Sequence, residues 1–111
     1  MNVFSVKLTS QAEMQMREAA WYIAVELQNP DAANGLMDDF AEELPKLGRN
    51  PERNPLVDEE PWRTEGIRWK AIKGYMVYFW IDIENAAVQV IGIVHEKRER
   101  NQFLSKMKLT D

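Results

Sequence analysis

The alternation of hydrophobic and polar positions near the start of the chain predicts one strand followed by a helix. Residues 3–8 alternate in polarity and include valine and phenylalanine, as in a strand with one buried face. Ser10 and Glu13 form a capping-box pair, which predicts that a helix begins there. Apolar residues then recur at helical spacing until about Gln28; they are Ala12, Met16, Ala19, Ala20, Ile23 and Leu27.

A second helix is predicted from Asn29 and Pro30, because asparagine caps helices and proline suits the first helical position. Pro45 should kink or end this helix. The short break between the two helices predicts an antiparallel hairpin. The apolar positions of the second helix are Ala33, Leu36, Met37, Phe40, Leu44 and Leu47.

The second half of the chain predicts a loop, three strands and a last helix. Residues 48–65 contain three prolines and many charges without periodicity, which predicts a surface loop with little regular structure. Strands are predicted at 67–72, 75–83 and 87–95, with a tight turn at Lys73-Gly74. Residues 98–108 predict a short C-terminal helix. The whole chain, 1–111, is therefore predicted to be one α+β domain with its helices on a mainly antiparallel sheet.

Composition restricts the class of protein. A chain of 111 residues with 45% hydrophobic content supports a single core. No stretch approaches the length of a membrane span, and the start of the chain lacks the pattern of a signal peptide. The absence of cysteine favours a reducing cytoplasm. With one histidine and no cysteine, a zinc site is not expected, and nothing in the sequence indicates a metal or other cofactor.

Charge is distributed unevenly between the two halves. Residues 1–65 hold six basic and thirteen acidic residues, a balance of −7, whereas residues 66–111 hold eight and five, a balance of +3. Such asymmetry indicates an anionic partner for the second half. The alternative is that the acidic half is simply a solvated helix surface.

Two cations of the first strand after the loop are candidates for binding an anion. Arg68 and Lys70 share one face of that strand, and a guanidinium group offers a fork of donors suited to phosphate. The alternative is an exposed ion pair between Arg68 and Glu65 or Glu96, a common and weak interaction.

The histidine at the end of the last strand is a candidate for proton transfer. A histidine side chain can give or take a proton in the physiological pH range, and Lys97 and Arg98 follow His95 directly. A structural histidine bonded to a loop is the alternative. Tyr78, on the central strand, belongs to a group of aromatic residues that suits stacking on bases, although residues of a central strand more commonly form the core.

The order of these motifs resembles the RelE/ParE superfamily of type II toxins. The resemblance covers nearly the whole chain and rests on order and spacing more than on any one motif. The matching segments are Leu8-Thr9, Gln11-Ala12-Glu13, Asn29-Pro30, Gly66-Ile67-Arg68, Tyr75-Met76-Val77-Tyr78 and the run from Val90 to His95.

The resemblance implies a growth-inhibiting toxin, of the kind that stabilises plasmids, which is neutralised by an antitoxin encoded beside it. One branch of the superfamily cleaves mRNA at the ribosome without a metal, and the ParE branch inhibits DNA gyrase. We predict a metal-independent mRNA endoribonuclease. The alternatives are a gyrase inhibitor without nuclease activity and a degenerate module that only binds an antitoxin. In each case an amphipathic segment of the antitoxin is expected to dock along the two N-terminal helices and the exposed sheet face.

The resemblance also assigns roles to the candidate residues. Arg68 matches the arginine that contacts the scissile phosphate, and His95 matches the acid or base. Arg98 matches a basic residue of the same surface, so these three form the predicted catalytic set. The predicted substrate-binding residues are Lys70, Lys97 and Tyr78. The tail after Phe103 departs from several cleaving members, because it has neither a tyrosine nor a second histidine.

Overall fold

The computed structural model describes residues 3–97 and residue 109, and within them the predicted α+β order is confirmed. The C-terminal helix predicted at 98–108 lies outside the described residues. The strands and helices are, in chain order, β1 (Ser5–Leu8), α1 (Ser10–Trp21), α2 (Pro30–Glu43), β2 (Arg68–Ile72), β3 (Tyr75–Asp82) and β4 (Ala87–His95).

The four strands form one mixed sheet in the order β1-β4-β3-β2. The β2–β3 and β3–β4 pairings are antiparallel, as predicted, but β1 runs parallel to β4. The parallel pairing follows from the connection between the strands. After β1 the helical hairpin crosses the sheet, and of the strands that follow only the last one, β4, lies beside β1. Strand direction therefore reverses between β4 and β3 and again between β3 and β2, but not between β1 and β4, so the sheet is mixed and not purely antiparallel.

The helix starts are set by side-chain caps. The Thr9 hydroxyl accepts a hydrogen bond from the Ala12 N–H at 3.2 Å, so the cap of α1 is Thr9 and the prediction of Ser10 is wrong by one residue. Thr9 is the last residue with extended backbone, which is the geometry a cap requires. At α2 the prediction is confirmed, because the Asn29 side chain accepts from the Ala32 N–H at 3.1 Å.

Each helix changes its winding before it ends. Helix α1 continues as a π-helical turn, Tyr22–Glu26, in which the Leu27 N–H donates to the carbonyl five residues earlier, and Gln28 then takes a left-handed backbone with φ 50°. Helix α2 tightens into a 3₁₀ turn, Leu44–Gly48, that contains Pro45, as the position of this proline predicts. The described part of the chain contains no helix that is both long and apolar enough to span a membrane.

The larger core lies between the sheet and the two helices. Its fully buried members include Phe40 of α2, Val77 and Phe79 of β3, and Val90 of β4. The ring of Phe40 meets the edge of Tyr75 at a centroid distance of 5.7 Å, which is a favourable edge-to-face geometry. This packing places α2 over the hairpin of β2 and β3, whereas α1 lies against β4.

A second core on the opposite face is built with the loop between α2 and β2. Val57 of that loop is fully buried beside Ile67 and Tyr78. Its N–H donates to the Ile67 carbonyl at 2.9 Å, and the Trp69 N–H donates to a carbonyl at position 55. The prediction of a loop confined to the surface is therefore wrong here, because its middle pairs with β2 and contributes core.

Gly48 is a point at which two main-chain segments touch. Its carbonyl accepts from the Phe4 N–H at 2.9 Å, and a Cβ on Gly48 would lie 2.1 Å from the Phe4 carbonyl oxygen. By contrast, a Cβ on Gly35 of α2 would meet no atom within 4 Å. The end of the 3₁₀ turn can therefore approach β1 only through a residue without a side chain.

Candidate functional site

The guanidinium group of Arg68 is bonded to the loop before β2. Its Nη1 donates to the carbonyl of Asn54 at 2.6 Å and to the carbonyl of Glu52 at 3.1 Å. Both acceptors are main-chain carbonyls, so neither of the predicted carboxylate partners is used. Because such carbonyls in an irregular loop need donors, Arg68 holds this loop against the sheet.

Arg68 and His95 share a face of the sheet but lie at opposite ends of it. Arg68 pairs with Phe79, whereas His95 pairs with Tyr75, four residues earlier on β3. They are thus two strands apart across the sheet and four residues apart along it. Ordinary strand spacing and rise then place their Cα atoms roughly 16 Å apart. The structure does not bring the predicted guanidinium and imidazole together.

The imidazole of His95 has two defined neighbours. Its ring stands edge-on to the ring of Tyr75 at a centroid distance of 5.4 Å and an angle of 85°. Its Nδ1 accepts a hydrogen bond from the Lys97 N–H at 3.2 Å. In the neutral ring the proton then lies on Nε2, so that nitrogen donates, and the basic lone pair on Nδ1 is already engaged.

His95 lies in an open cleft of about 570 Å³, which we call the α1–β4 cleft. One wall is the last three residues of β4, and the other is the second half of α1 with the start of its π-helical turn. Aromatic rings from both walls face this space, so it can hold an apolar group close to the imidazole. The lining residues are Gln15, Glu18, Ala19, Trp21, Tyr22, Tyr75, Ile93, Val94 and His95.

The other predicted site residues are dispersed. Lys70 is half-buried on β2, on the same face as Arg68, and Lys97 is exposed directly after β4. Tyr78 is fully buried on the opposite face. This burial removes Tyr78 from any surface that a substrate could touch, because its ring packs in the second core. Arg98 lies outside the described residues.

One buried carboxylate has a structural explanation. Asp82, at the end of β3, accepts hydrogen bonds from Asn85 and Gln89, and these bonds, with that of Asn85 foremost, hold the pKa of its carboxyl group below the usual value. The Asp82 carboxylate thus links the residues of the β3–β4 turn to the first part of β4. Within residues 3–97 and 109, no three histidine, aspartate or glutamate side chains lie close enough to hold a metal ion.

Sequence reasoning missed the α1 side of the cleft. Trp21, which lines the cleft, is 57% exposed, although its apolar character suggests burial. The signal was present, because Trp21 falls on the polar side of the helical pattern that ends at Leu27. The sequence alone could not show what this signal means, because the π-helical turn that follows changes the spacing of side chains around the helix.

The fold is similar to that of two solved toxin–antitoxin proteins. A chain of the chromosomal ParDE system from P. aeruginosa superposes with a TM-score of 0.68 at 18% identity, covering 86% of this chain and 98% of that one. A chain of the RelBE2 toxin–antitoxin complex from Mycobacterium tuberculosis gives a TM-score of 0.57 at 19% identity, covering 84% and 98%. At such identities the similarity shows that the fold is shared with these two chains.

Residues 6–100 match the family model described as the ParE toxin of the type II toxin–antitoxin system parDE, so the chain belongs to the ParE toxin family. A search of curated proteins finds no significant match to the sequence. The predicted membership of the RelE/ParE superfamily is thereby confirmed.

Proposed function

We propose that this toxin inhibits growth by binding DNA gyrase and does not cleave RNA. The observation that carries the proposal is the attachment of Arg68 to the carbonyls of Glu52 and Asn54, at the far end of the sheet from His95. The proposal is also supported by the matching family model, which is a ParE model, because inhibition of gyrase is what the resemblance to the ParE branch implies.

The chemistry of RNA cleavage explains why this separation matters. The 2′-hydroxyl attacks the adjacent phosphate while an acid and a base transfer protons and a cation stabilises the charge. The base must reach the 2′-hydroxyl, the acid the leaving oxygen and the cation the phosphate of one linkage, each at a heavy-atom distance of about 3 Å. The guanidinium of Arg68 is engaged by the loop carbonyls, and its Cα lies roughly 16 Å from that of His95, so the two side chains are poorly placed to act on one phosphodiester.

The partner we propose is a cognate antitoxin encoded beside the toxin. Both similar structures come from toxin–antitoxin systems, and the exposed apolar surface of α1 and its π-helical turn offers an area for such a protein. A cytoplasmic location stays a prediction from the sequence.

A supercoiling assay tests the gyrase proposal. Purified toxin should inhibit ATP-dependent supercoiling of relaxed plasmid by gyrase, and a His95→Ala variant should inhibit it equally. Normal supercoiling at toxin concentrations well above that of gyrase, in a protein that arrests growth when expressed, would reject the proposal.

A metal-independent mRNA endoribonuclease is the second candidate, because His95 lies in an open cleft beside the rings of Tyr75 and Tyr22. Primer extension on cellular mRNA after induction distinguishes it: new 5′ ends that vanish in His95→Ala favour cleavage, and unchanged ends exclude it. Harmless overexpression would instead indicate a module that only binds the antitoxin.

A further inference from the structure

Strand β2 is one edge of the sheet, and the loop before it covers only the start of that edge. Leu56 bridges Arg68, and the Trp69 N–H donates to the Pro55 carbonyl at 3.1 Å. Because Trp69 and Pro55 face each other in this antiparallel pairing, a second bond would run from the N–H of residue 55 to the Trp69 carbonyl. Proline has no N–H, so that bond is not made and the pairing stops there.

The main-chain groups that follow along this edge are open. The Trp69 N–H points to the loop and away from β3, so by the alternation of strand pairing the N–H and carbonyl of Ala71 point away from β3 as well. Ala71 is exposed, and in the part of the chain that the structure describes no main-chain group of a loop bonds to it. The Trp69 carbonyl and the two groups of Ala71 are thus three open positions, which we call the β2 edge.

The β2 edge is cationic in a chain that is acidic overall. Residues 66–74 contain Arg68, Lys70 and Lys73 and no acidic residue, whereas the whole chain has a net charge of −4. Loop carbonyls engage the Arg68 guanidinium, but neither lysine forms an ion pair with any of the described residues. Lys70 is half-buried and Lys73 is exposed, so both ammonium groups can take carboxylates from another molecule.

This charge disfavours a second copy of the chain and favours an acidic partner. A two-fold pairing of two β2 edges about Ala71 would bring the lysines of both copies close together, and lysines on an edge strand hinder such pairing. An extended acidic segment meets no such repulsion. Its main chain can bond to the three open groups, and a carboxylate beside Lys70 makes a charge-assisted contact.

We propose that an extended acidic segment of gyrase adds to the β2 edge as a fifth strand, with carboxylates that reach Lys70 and Lys73. The proposal rests on gyrase as the target, which the preceding section proposes. Side chains of an added strand alternate between the two faces of the sheet. The segment therefore presents an apolar residue to Trp69, which is half-buried on the face opposite Lys70.

Affinity for gyrase tests the role of charge. The full-length toxin is titrated onto immobilised, purified gyrase holoenzyme, and the Kd is measured by surface plasmon resonance at several salt concentrations. Lys70→Glu should weaken the Kd about tenfold and make it less dependent on salt. Lys46→Glu is the control, because it changes the charge equally on a turn that packs against β1 and β4, and it should leave the Kd unchanged.

The variant Ala71→Pro tests the main-chain bonds. Because the Ala71 N–H points out of the sheet, proline removes this donor without breaking a bond to β3, and edge strands tolerate proline at such positions. The variant should weaken the Kd for gyrase about tenfold. A circular dichroism spectrum equal to that of the wild type shows that its fold is kept.

Hydrogen exchange of the unaltered toxin gives a measurement that needs no variant. Mass spectrometry follows the Ala71 amide in peptides that cover residues 69–72. This amide should exchange about tenfold more slowly with gyrase bound than in the free toxin, because it gains an acceptor. If Ala71→Pro does not fold, this protection decides.

The outcomes separate this proposal from the preceding one. If the toxin inhibits gyrase while the Ala71 amide exchanges as in the free toxin, or while Lys70→Glu and Ala71→Pro bind as tightly as the wild type, the added strand is overturned and gyrase remains the target. No binding to gyrase and no inhibition would overturn both. Slow exchange that depends on toxin concentration alone would assign the β2 edge to a second copy of the chain and overturn the gyrase segment.

Discussion

The two ends of the helix-covered sheet face carry the two residues that the sequence singles out, and the structure uses them differently. At one end, which we call the loop end, the guanidinium of Arg68 donates to two carbonyls and fixes the loop before β2. At the other, the cleft end, His95 lies beside an open space lined with aromatic rings. One end is held by its contacts, and the other is available for a partner.

The difference teaches that a charged residue on a sheet takes its role from the nearest unsatisfied groups. The irregular loop leaves main-chain carbonyls without partners in a sheet or helix, and Arg68 supplies donors to them. Beside His95 the chain is a regular strand. Strand β3 pairs with one edge of it, the Gln15 side chain accepts from the Ile93 N–H on the other edge, and the side chains that line the cleft remain accessible.

The largest expected effect separates the two ends by stability. Arg68→Ala should lower the free energy of unfolding by about 2–3 kcal/mol, because it leaves two loop carbonyls without their charged donor. His95→Ala should lower it by less than about 1 kcal/mol, since it removes one exposed hydrogen bond. Urea denaturation measures both. Arg53→Ala, an exposed arginine of the same loop, is the control, and equal losses at 68 and 95 would contradict the comparison.

Removal of the apolar anchor of the loop should weaken the same end. Val57→Ala should destabilise the protein by about 2 kcal/mol, because Val57 is fully buried and its loss leaves a cavity. The same substitution at the exposed Val25 should have almost no effect. Because Val57 and Arg68 hold one loop, the double variant should lose less than the two single losses added. Full additivity would show that they act independently.

The loop end should also respond to acid. The lowered pKa of Asp82 means that its ionised form stabilises the fold above the ordinary aspartate pKa of about 4, and that this contribution disappears as pH falls from there through the folded value. Asp82→Asn and Asn85→Ala should each flatten that part of the curve of unfolding free energy against pH. If the free energy of unfolding fell with pH equally in the wild type and in both variants, Asp82 would be excluded as the cause of that fall.

The smallest expected effect lies at the cleft end. Lys73 occupies a left-handed position, φ 50°, in the tight turn with Gly74, where asparagine is preferred. Lys73→Asn should therefore stabilise the protein by about 0.5 kcal/mol without altering the α1–β4 cleft. Lys73→Ala, which removes the charge but keeps the same backbone requirement, should bring no gain in a thermal melt.

Periodicity predicted much of the fold. The caps and apolar spacing located both helices, with an error of one residue at Thr9, and the glycine turn located the hairpin of β2 and β3. The parallel pairing of β1 could not be predicted, because strand order depends on where the helical hairpin returns the chain. The burial of Val57 was equally hidden, since an irregular loop has no period to reveal which residue faces inward.

The site was less predictable than the fold. The alternation along β2 placed Arg68 and Lys70 on one face of that strand, but it could not relate Arg68 to His95, because their relative position depends on the register of β2 and β4 with β3. Tyr78 falls on the other face, where the loop covers it. The strand edge beside Ile93 depends on the lengths of two strands that are far apart in sequence, and on a glutamine from a third element.

The contact between Gly48 and Phe4 also limits how this chain can change. A position at which main chain meets main chain accepts one amino acid, whatever the chemistry of the replacement. In a library of all single substitutions selected for folded protein, position 48 should stay glycine, while position 35 should admit most residues other than proline. The tolerance map of the chain would thus mark position 48 as a place where the fold leaves no room for a side chain.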